Sequence, residues 1–161
     1  MKNKRILFMT QAAMIAAIYV VVTVIFAPFS FGEVQVRLSE ALAILPYFTP
    51  AAIPGLAIGC LIGNLIGRGL LLDIIFGSLA TLLGACGTYL LRKQNKFLAP
   101  IPPILANVAI IPFILRYAYG ILLPIPVLML SIGIGEIISC GVLGMIVMSA
   151  LQKHRHKLFK N

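Results

Sequence analysis

From Ile6 to Ala27 the chain carries no charged side chain, a run longer than the roughly 20 apolar residues a helix needs to cross a hydrocarbon core. Further apolar stretches follow at 51–67, 73–91, 102–118 and 127–151, with a shorter one at 38–48. This pattern has no place in a water-soluble fold of this size. Of the residues, 61% are hydrophobic and 11% charged, whereas a globular domain is about half apolar and about a quarter charged. Lipid cannot hydrogen-bond a backbone, so segments that cross it must be helical or close into a barrel, and these lengths suit helices. The expectation is an all-α integral membrane protein, one membrane domain over residues 1–161, folded as a bundle of six transmembrane helices in the lipid bilayer.

The second segment is expected to be short or irregular. At α-helical rise, 38–48 covers about 16 Å of a core about 30 Å thick, and it contains Pro46 and runs into Pro50. It is either a partial, re-entrant helix or one that starts inside a protein-lined cavity, where irregular backbone is tolerated. In the third segment Gly55, Gly59, Gly63 and Gly67 recur every four residues, which puts them near one helix face and admits a neighbouring backbone. Between the first two segments, Phe29 to Arg37 reads as an extended loop, with alternation from Glu33 onward.

The net charge of +9 suggests nucleic acid until its positions are read. Ten of the thirteen basic residues form three groups: Lys2, Lys4 and Arg5; Arg92, Lys93 and Lys96; Lys153, Arg155, Lys157 and Lys160. Each group edges an apolar stretch, as cytoplasmic loops do, and no soluble domain presents them to a nucleic acid. Both ends of the chain and the loop between the fourth and fifth segments are therefore expected in the cytoplasm, with Arg37, Arg68 and Arg116 on the opposite side. Cys60, Cys86 and Cys140 lie within apolar runs without metal-ligand spacing and read as small buried hydrophobes. The first stretch is too long for the apolar region of a cleavable signal.

The chain has four acids, Glu33, Glu40, Asp73 and Glu136, and none lies in a basic group. Charges at membrane depth are costly, so they face a cavity or one another and mark substrate paths. Glu136 stands nine residues from Val127, roughly 13 to 14 Å inward at helical rise. Asn107 stands nine residues from Arg116, at a comparable depth. Ser78, Thr81 and Ser139 add hydroxyls. The residues expected to bind substrate are Glu136, Glu40, Arg37, Asn107, Glu33, Asp73, Ser78 and Ser139, in an outward-facing pocket with the 29–37 loop as its lid. Structural alternatives stand beside them. Asp73 can be a helix N-cap, Arg37 can pair with Glu33 or Glu40, and Arg68 and Arg116 can snorkel to the interface. His154 and His156 fit a solvated charged tail better than a metal site. Glu136 has no basic partner on its own helix.

No nucleotide-binding, metalloprotease or nucleophile-elbow motif is present, so no enzyme, cofactor or metal is expected. Ala12, Ala13, Ala16 and Ala17 make two small-xxx-small pairs on the first segment, where another helix can pack closely, from within the chain or from a partner.

The stretches Arg37-Leu38-Ser39-Glu40-Ala41-Leu42, Phe48-Thr49-Pro50-Ala51-Ala52-Ile53-Pro54-Gly55 and Leu72-Asp73-Ile74-Ile75-Phe76-Gly77-Ser78-Leu79-Ala80-Thr81 resemble the QueT family, and the resemblance covers essentially the whole chain. Members of that family are substrate-binding (S) components of energy-coupling factor (ECF) transporters, assigned to queuosine precursors. The resemblance implies capture of a 7-deazaguanine outside a bacterial cell, with ATP-driven uptake supplied by a coupling membrane protein and two ATPase subunits. It also implies that the alanine pairs dock on the coupling protein, that the 29–37 loop closes over substrate, and that the last three segments line the pocket. A guanine-like ring presents adjacent N–H donors that one carboxylate accepts bidentately, and its carbonyl wants a donor such as Asn or Arg. Thiamine or another vitamin-like heterocycle would suit the same groups. A proton-coupled carrier using Glu136, against which the lack of an obvious inverted repeat counts, and a non-transporting membrane scaffold are the other classes. Cysteines placed at Asn95 and Gly120 should label from opposite sides of the membrane; labelling of both from one side would overturn the topology.

Overall fold

The computed structural model describes residues 2–26, 37–67 and 69–158, with backbone alone at residue 2 and from 154 to 158. Its helices are α1 (Lys2–Ile25), α2 (Leu38–Tyr47, a 3-10 helix), α3 (Ala52–Ile66), α4 (Leu71–Leu91), α5 (Ile101–Tyr117), α6 (Ile125–Glu136) and α7 (Gly144–Leu158). A π-helical segment, Ile137–Leu143, joins α6 to α7 without a break, and a 3-10 turn, Lys96–Leu98, precedes α5. Four stretches are long and apolar enough to cross a membrane: Asn3–Ile25, Leu71–Leu91, Lys96–Tyr117 and Ile125–Lys153. Leu38–Tyr47 and Ala52–Ile66 are the shorter apolar helices. The protein is an all-α membrane protein with an irregular second segment.

Small residues set how the helices approach. Gly55 faces Ala12 and Ile15, Gly59 faces Ala16 and Tyr19, and Gly63 faces Thr23, so α1 and α3 run parallel along the glycine face. A Cβ on Gly55 would stand 2.7 Å from the Ala12 carbonyl oxygen. On the other side, Gly84 meets Pro103 and Gly87 meets Pro102, which makes α4 and α5 an antiparallel pair. Ile111, Ile114 and Leu115 of α5 pack with Leu128 and Ile132 of α6. These directions bring Lys4 and Arg5, the Arg92–Lys96 group and Lys153 to one end of the bundle.

The glycine packing divides the four alanines. Ala12 and Ala16 face α3, where Ala16 is buried and Ala12 half-buried, whereas Ala13 and Ala17 on the adjoining ridge are exposed.

α2 occupies the centre. Ser39, Glu40, Ala41, Ala43, Ile44, Leu45 and Pro46 are all buried, and the helix touches α1, α3, α4, α7 and the π-helical segment. Ten residues in 3-10 form reach about 20 Å at ~2.0 Å rise, further than the same residues would as an α-helix. Long 3-10 runs are poor hydrogen-bonders, and Pro46 removes a donor. Protein on every side supplies the packing that lipid would not. Ile44 sits in the main apolar cluster with Tyr19, Leu56, Cys140 and Met148.

Gly120 has a φ of 69°, where a side chain is strained, so Leu122, 87% exposed, is the better reporter for that loop. Gly55→Ala should cost about 1 to 3 kcal/mol by overpacking against backbone. Gly133→Ala, whose Cβ would find only Val108 Cγ2 at 3.6 Å, should change little. Thermal unfolding of both variants in detergent checks the difference.

Candidate functional site

Most of the buried polar side chains form two adjoining layers towards the end of the bundle away from the basic groups, with Thr49 and Thr88 buried apart from them. The upper layer is built on Arg37, which immediately precedes α2. Its Nη2 donates to Asp73 Oδ1 at 3.0 Å and Oδ2 at 3.1 Å. Asp73 is an ion-pair partner of the guanidinium; no salt bridge joins it to Glu40, and Glu33 lies outside the described residues. Asp73 is not the helix N-cap either. α4 begins at Leu71 with Leu70 as its cap, so Asp73 stands in the first turn, where the helix dipole favours a carboxylate. The Tyr119 hydroxyl donates to Asp73 Oδ2 at 3.1 Å and accepts from the Leu70 N–H at 3.3 Å. Burial, and then the Asp73 charge, push this phenol above its ordinary range, so it remains a donor at neutral pH. Asn64 Nδ2 donates to the Asp73 carbonyl at 3.3 Å. Gly77 leaves room for all this, since a Cβ there would come within 3.1 Å of both Asn64 Nδ2 and Asp73 Oδ1.

One turn deeper, every membrane segment contributes a group. Glu40 of α2 accepts at Oε1 from the Tyr19 hydroxyl of α1, and the Thr81 hydroxyl of α4 lies 3.3 Å from the same oxygen. Thr81 is also 3.3 Å from Cys60 Sγ of α3 and donates to the Gly77 carbonyl at 3.1 Å. Asn107 of α5 donates to Glu136 Oε1 of α6 at 3.0 Å, matching the equal depths counted from the sequence. Asn107 lies beside Glu40 as well, and the Glu40 and Glu136 charges act on each other.

Polar atoms without a partner concentrate here. Among the described residues, Glu40 Oε2, Glu136 Oε2, Ser39 Oγ and Ser139 Oγ are buried with no hydrogen bond in the protein. Leaving one such atom unsatisfied costs about 1 to 3 kcal/mol, so the cluster is poised to receive donors from elsewhere. Ser139 lies within the π-helical segment directly after Glu136, and π-turns occur frequently at functional sites. Ser78 instead bonds the Ile74 carbonyl on its own helix. Arg116 donates to the carbonyls of Ile121 and Leu123, which folds the loop after α5 back on itself. No group of His, Cys, Asp and Glu suited to a metal occurs among the described residues.

Sequence reasoning did not select Tyr19, Asn64 or Tyr119. Tyr19 and Asn64 carried the same signal as the acids, a hydrogen-bonding side chain inside an otherwise apolar run. Tyr119 had none, because its role depends on where the loop after α5 lands.

Arg37→Ala should lower stability by about 3 to 5 kcal/mol, because it strands the Asp73 carboxylate in the interior. Replacing both partners with apolar residues of similar volume should recover most of that loss. Unfolding of the single and double variants measures it.

The QueT transporter family matches residues 9–153 of the chain. The Queuosine precursor transporter QueT of Lactococcus lactis subsp. cremoris (strain MG1363) is 33% identical over 84 residues, 51% of this chain and 49% of that protein. The aligned stretch thus spans about half the length of this curated relative. No solved structure matches the chain at a significant level. With nearly its whole length inside the family match, the chain belongs to the QueT transporter family.

Proposed function

We propose that this protein is the substrate-capture (S) component of an ECF-type importer in a bacterial cell membrane, and that it binds a 7-deazaguanine queuosine precursor. The observation that carries the reading is the Asn107–Glu136 pair. Glu136 has one oxygen held by an amide donor and the other open, at the level where α1 to α6 converge. A guanine-type edge presents a carbonyl beside two N–H donors. The carboxylate accepts the donors, and the Asn107 amide supplies a donor for the carbonyl. The relative's name, a queuosine precursor transporter, supports the same ligand class.

Orientation follows from the basic groups, which put both ends of the chain and the α4–α5 connection in the cytoplasm. The polar layers then lie in the outer half of the bundle, and substrate enters from that side. The Arg37–Asp73–Tyr119 layer at the mouth joins the start of α2 to the loops after α3 and α5, a position from which it positions the site or closes it. The chain supplies no ATPase motif, so a coupling membrane protein and two ATPase subunits drive uptake. The coupling protein docks on the exposed Ala13–Ala17 ridge.

Cells expressing the chain with the ATPase module should accumulate the 7-deazaguanine, and cells with the chain alone should not. Ala13→Trp and Ala17→Trp should abolish uptake while the purified variants are still stabilised by ligand against heat. Uptake by the chain alone would favour a proton-coupled carrier. Stabilisation by thiamine and not by any 7-deazaguanine would move the reading to another vitamin-like heterocycle.

A further inference from the structure

α1 has three working faces. Ala12, Ala16 and Thr23 meet α3, and Ala13 and Ala17 form the exposed ridge. Gln11, Met14 and Ile18 follow the spacing of a third stripe, about a third of a turn from that ridge. There they form one wall of a groove of about 310 Å³. Leu42 and Leu45 of α2 line its floor, and Leu151 of α7 stands in the opposite wall. Glycine packing draws α1 onto α3, while α1 and α7 both rest on α2 but hardly on each other. The gap between them is the groove.

The groove is apolar beneath a charged rim. Its single polar lining residue, Gln11, has its side-chain oxygen held by the Thr49 hydroxyl at 3.1 Å. Lys4 stands seven residues before Gln11, two turns along the same stripe and about 10 Å nearer the basic end of the bundle. Lys153 follows Leu151 by two residues, and both lysines are exposed. Glu40, Asp73 and Glu136 lie in the polar layers towards the other end, so no acid among the described residues shares the level of these cations. Hydrocarbon below and phosphate above is the order of groups in an anionic phospholipid. Basic side chains at a membrane surface attract such lipids, each by about fivefold in affinity.

We propose that the groove between α1, α2 and α7 binds an anionic phospholipid of the leaflet at the basic end. One acyl chain lies over Leu42 and Leu45, and Lys4 and Lys153 hold the phosphate. The lipid fills the gap between α1 and α7 and completes the enclosure of α2. The site is separate from the buried polar cluster and from the Ala13–Ala17 ridge, and it stands whatever ligand the cluster takes.

The test follows thermal unfolding of the purified full chain in detergent as lipid is added. Phosphatidylglycerol should stabilise at a concentration at least about fivefold below that needed for phosphatidylcholine with the same acyl chains, and glycerol phosphate, which lacks the chains, should not stabilise. Lys4→Gln should reduce the preference by about fivefold. Lys93→Gln, which removes a charge from the same end on the α4–α5 connection, should leave it unchanged. Met14→Trp, at a position 57% exposed, should fill the groove and blunt the response to phosphatidylglycerol, whereas Leu83→Trp, exposed on α4, should keep it. Ile18→Trp, at a position 47% exposed, repeats the test should Met14→Trp fail to fold. Equal response to the two lipids, or equal loss in Lys4→Gln and Lys93→Gln, would reduce the effect to diffuse attraction and overturn the site. A full response in the groove-filling variants would overturn it too, and their failure to assemble with the ATPase module would then give the groove to a protein partner.

Discussion

Lipid offers a backbone no hydrogen-bond partner, and this protein meets that condition by enclosing its least regular helix. α2 is a ten-residue 3-10 helix interrupted by a proline, a backbone that would fare badly against acyl chains. Around it stand α1, α3, α4, α7 and the π-helical segment, brought close by residues without bulk. Gly144 faces Ile44 and the Ala41 carbonyl, and Gly55, Gly59 and Gly63 let α1 lie against α3. The α4–α5 pair closes the far side through glycine against proline. The long apolar helices are the wall, and the short segment they enclose carries Glu40.

Irregular backbone and unsatisfied polar atoms coincide. Ser39 and Glu40 ride on the 3-10 helix; Glu136 ends α6, and Ser139 follows in the π-helical turn. These two segments pack against each other. Departing from α-helical spacing changes which side chains face inward: the 3-10 helix buries Ser39 and Glu40, and the π-helical segment buries Ser139 just after Glu136. The orphaned oxygens oppose folding by about 1 to 3 kcal/mol each, a cost that an apolar core would not carry. Four of them, on Ser39, Glu40, Glu136 and Ser139, fall on the two irregular segments and their junction, while Thr23 Oγ1 lies apart on α1.

Much of this was legible in the sequence because the bilayer imposes coarse rules. Apolar length found the helical segments, and the four-residue glycine spacing found a close-packing face on the third without naming α1 as its partner. Depth counting brought Asn107 and Glu136 to one level because both helices run regularly from a common end. What the sequence did not reveal depended on local backbone form and tertiary pairing. The 3-10 winding of 38–47 and the π-turn after Glu136 have no periodic signature over so few residues. Asp73 pairs with Arg37 across 36 positions of chain, a tertiary contact that local charge spacing does not encode. Tyr119 reaches the same carboxylate from a loop whose path no local pattern dictates.

α1 connects the interior to the surface. Its inner side is pinned twice: Ala16 rests against Gly59, and Tyr19 bonds Glu40. Its exposed ridge, Ala13 and Ala17, lies one residue round the helix from the Ala12–Ala16 pair. Contacts on both sides are close, so α1 has little freedom to tilt without moving Tyr19 against Glu40. A partner seated on the ridge would act on the polar cluster through a rigid lever, and a ligand engaging Glu40 would act on the ridge by the same route. Linkage makes those two effects equal in free energy. The geometry that holds the site together is thus also a route by which occupancy of the site and docking of a partner would each bias the other.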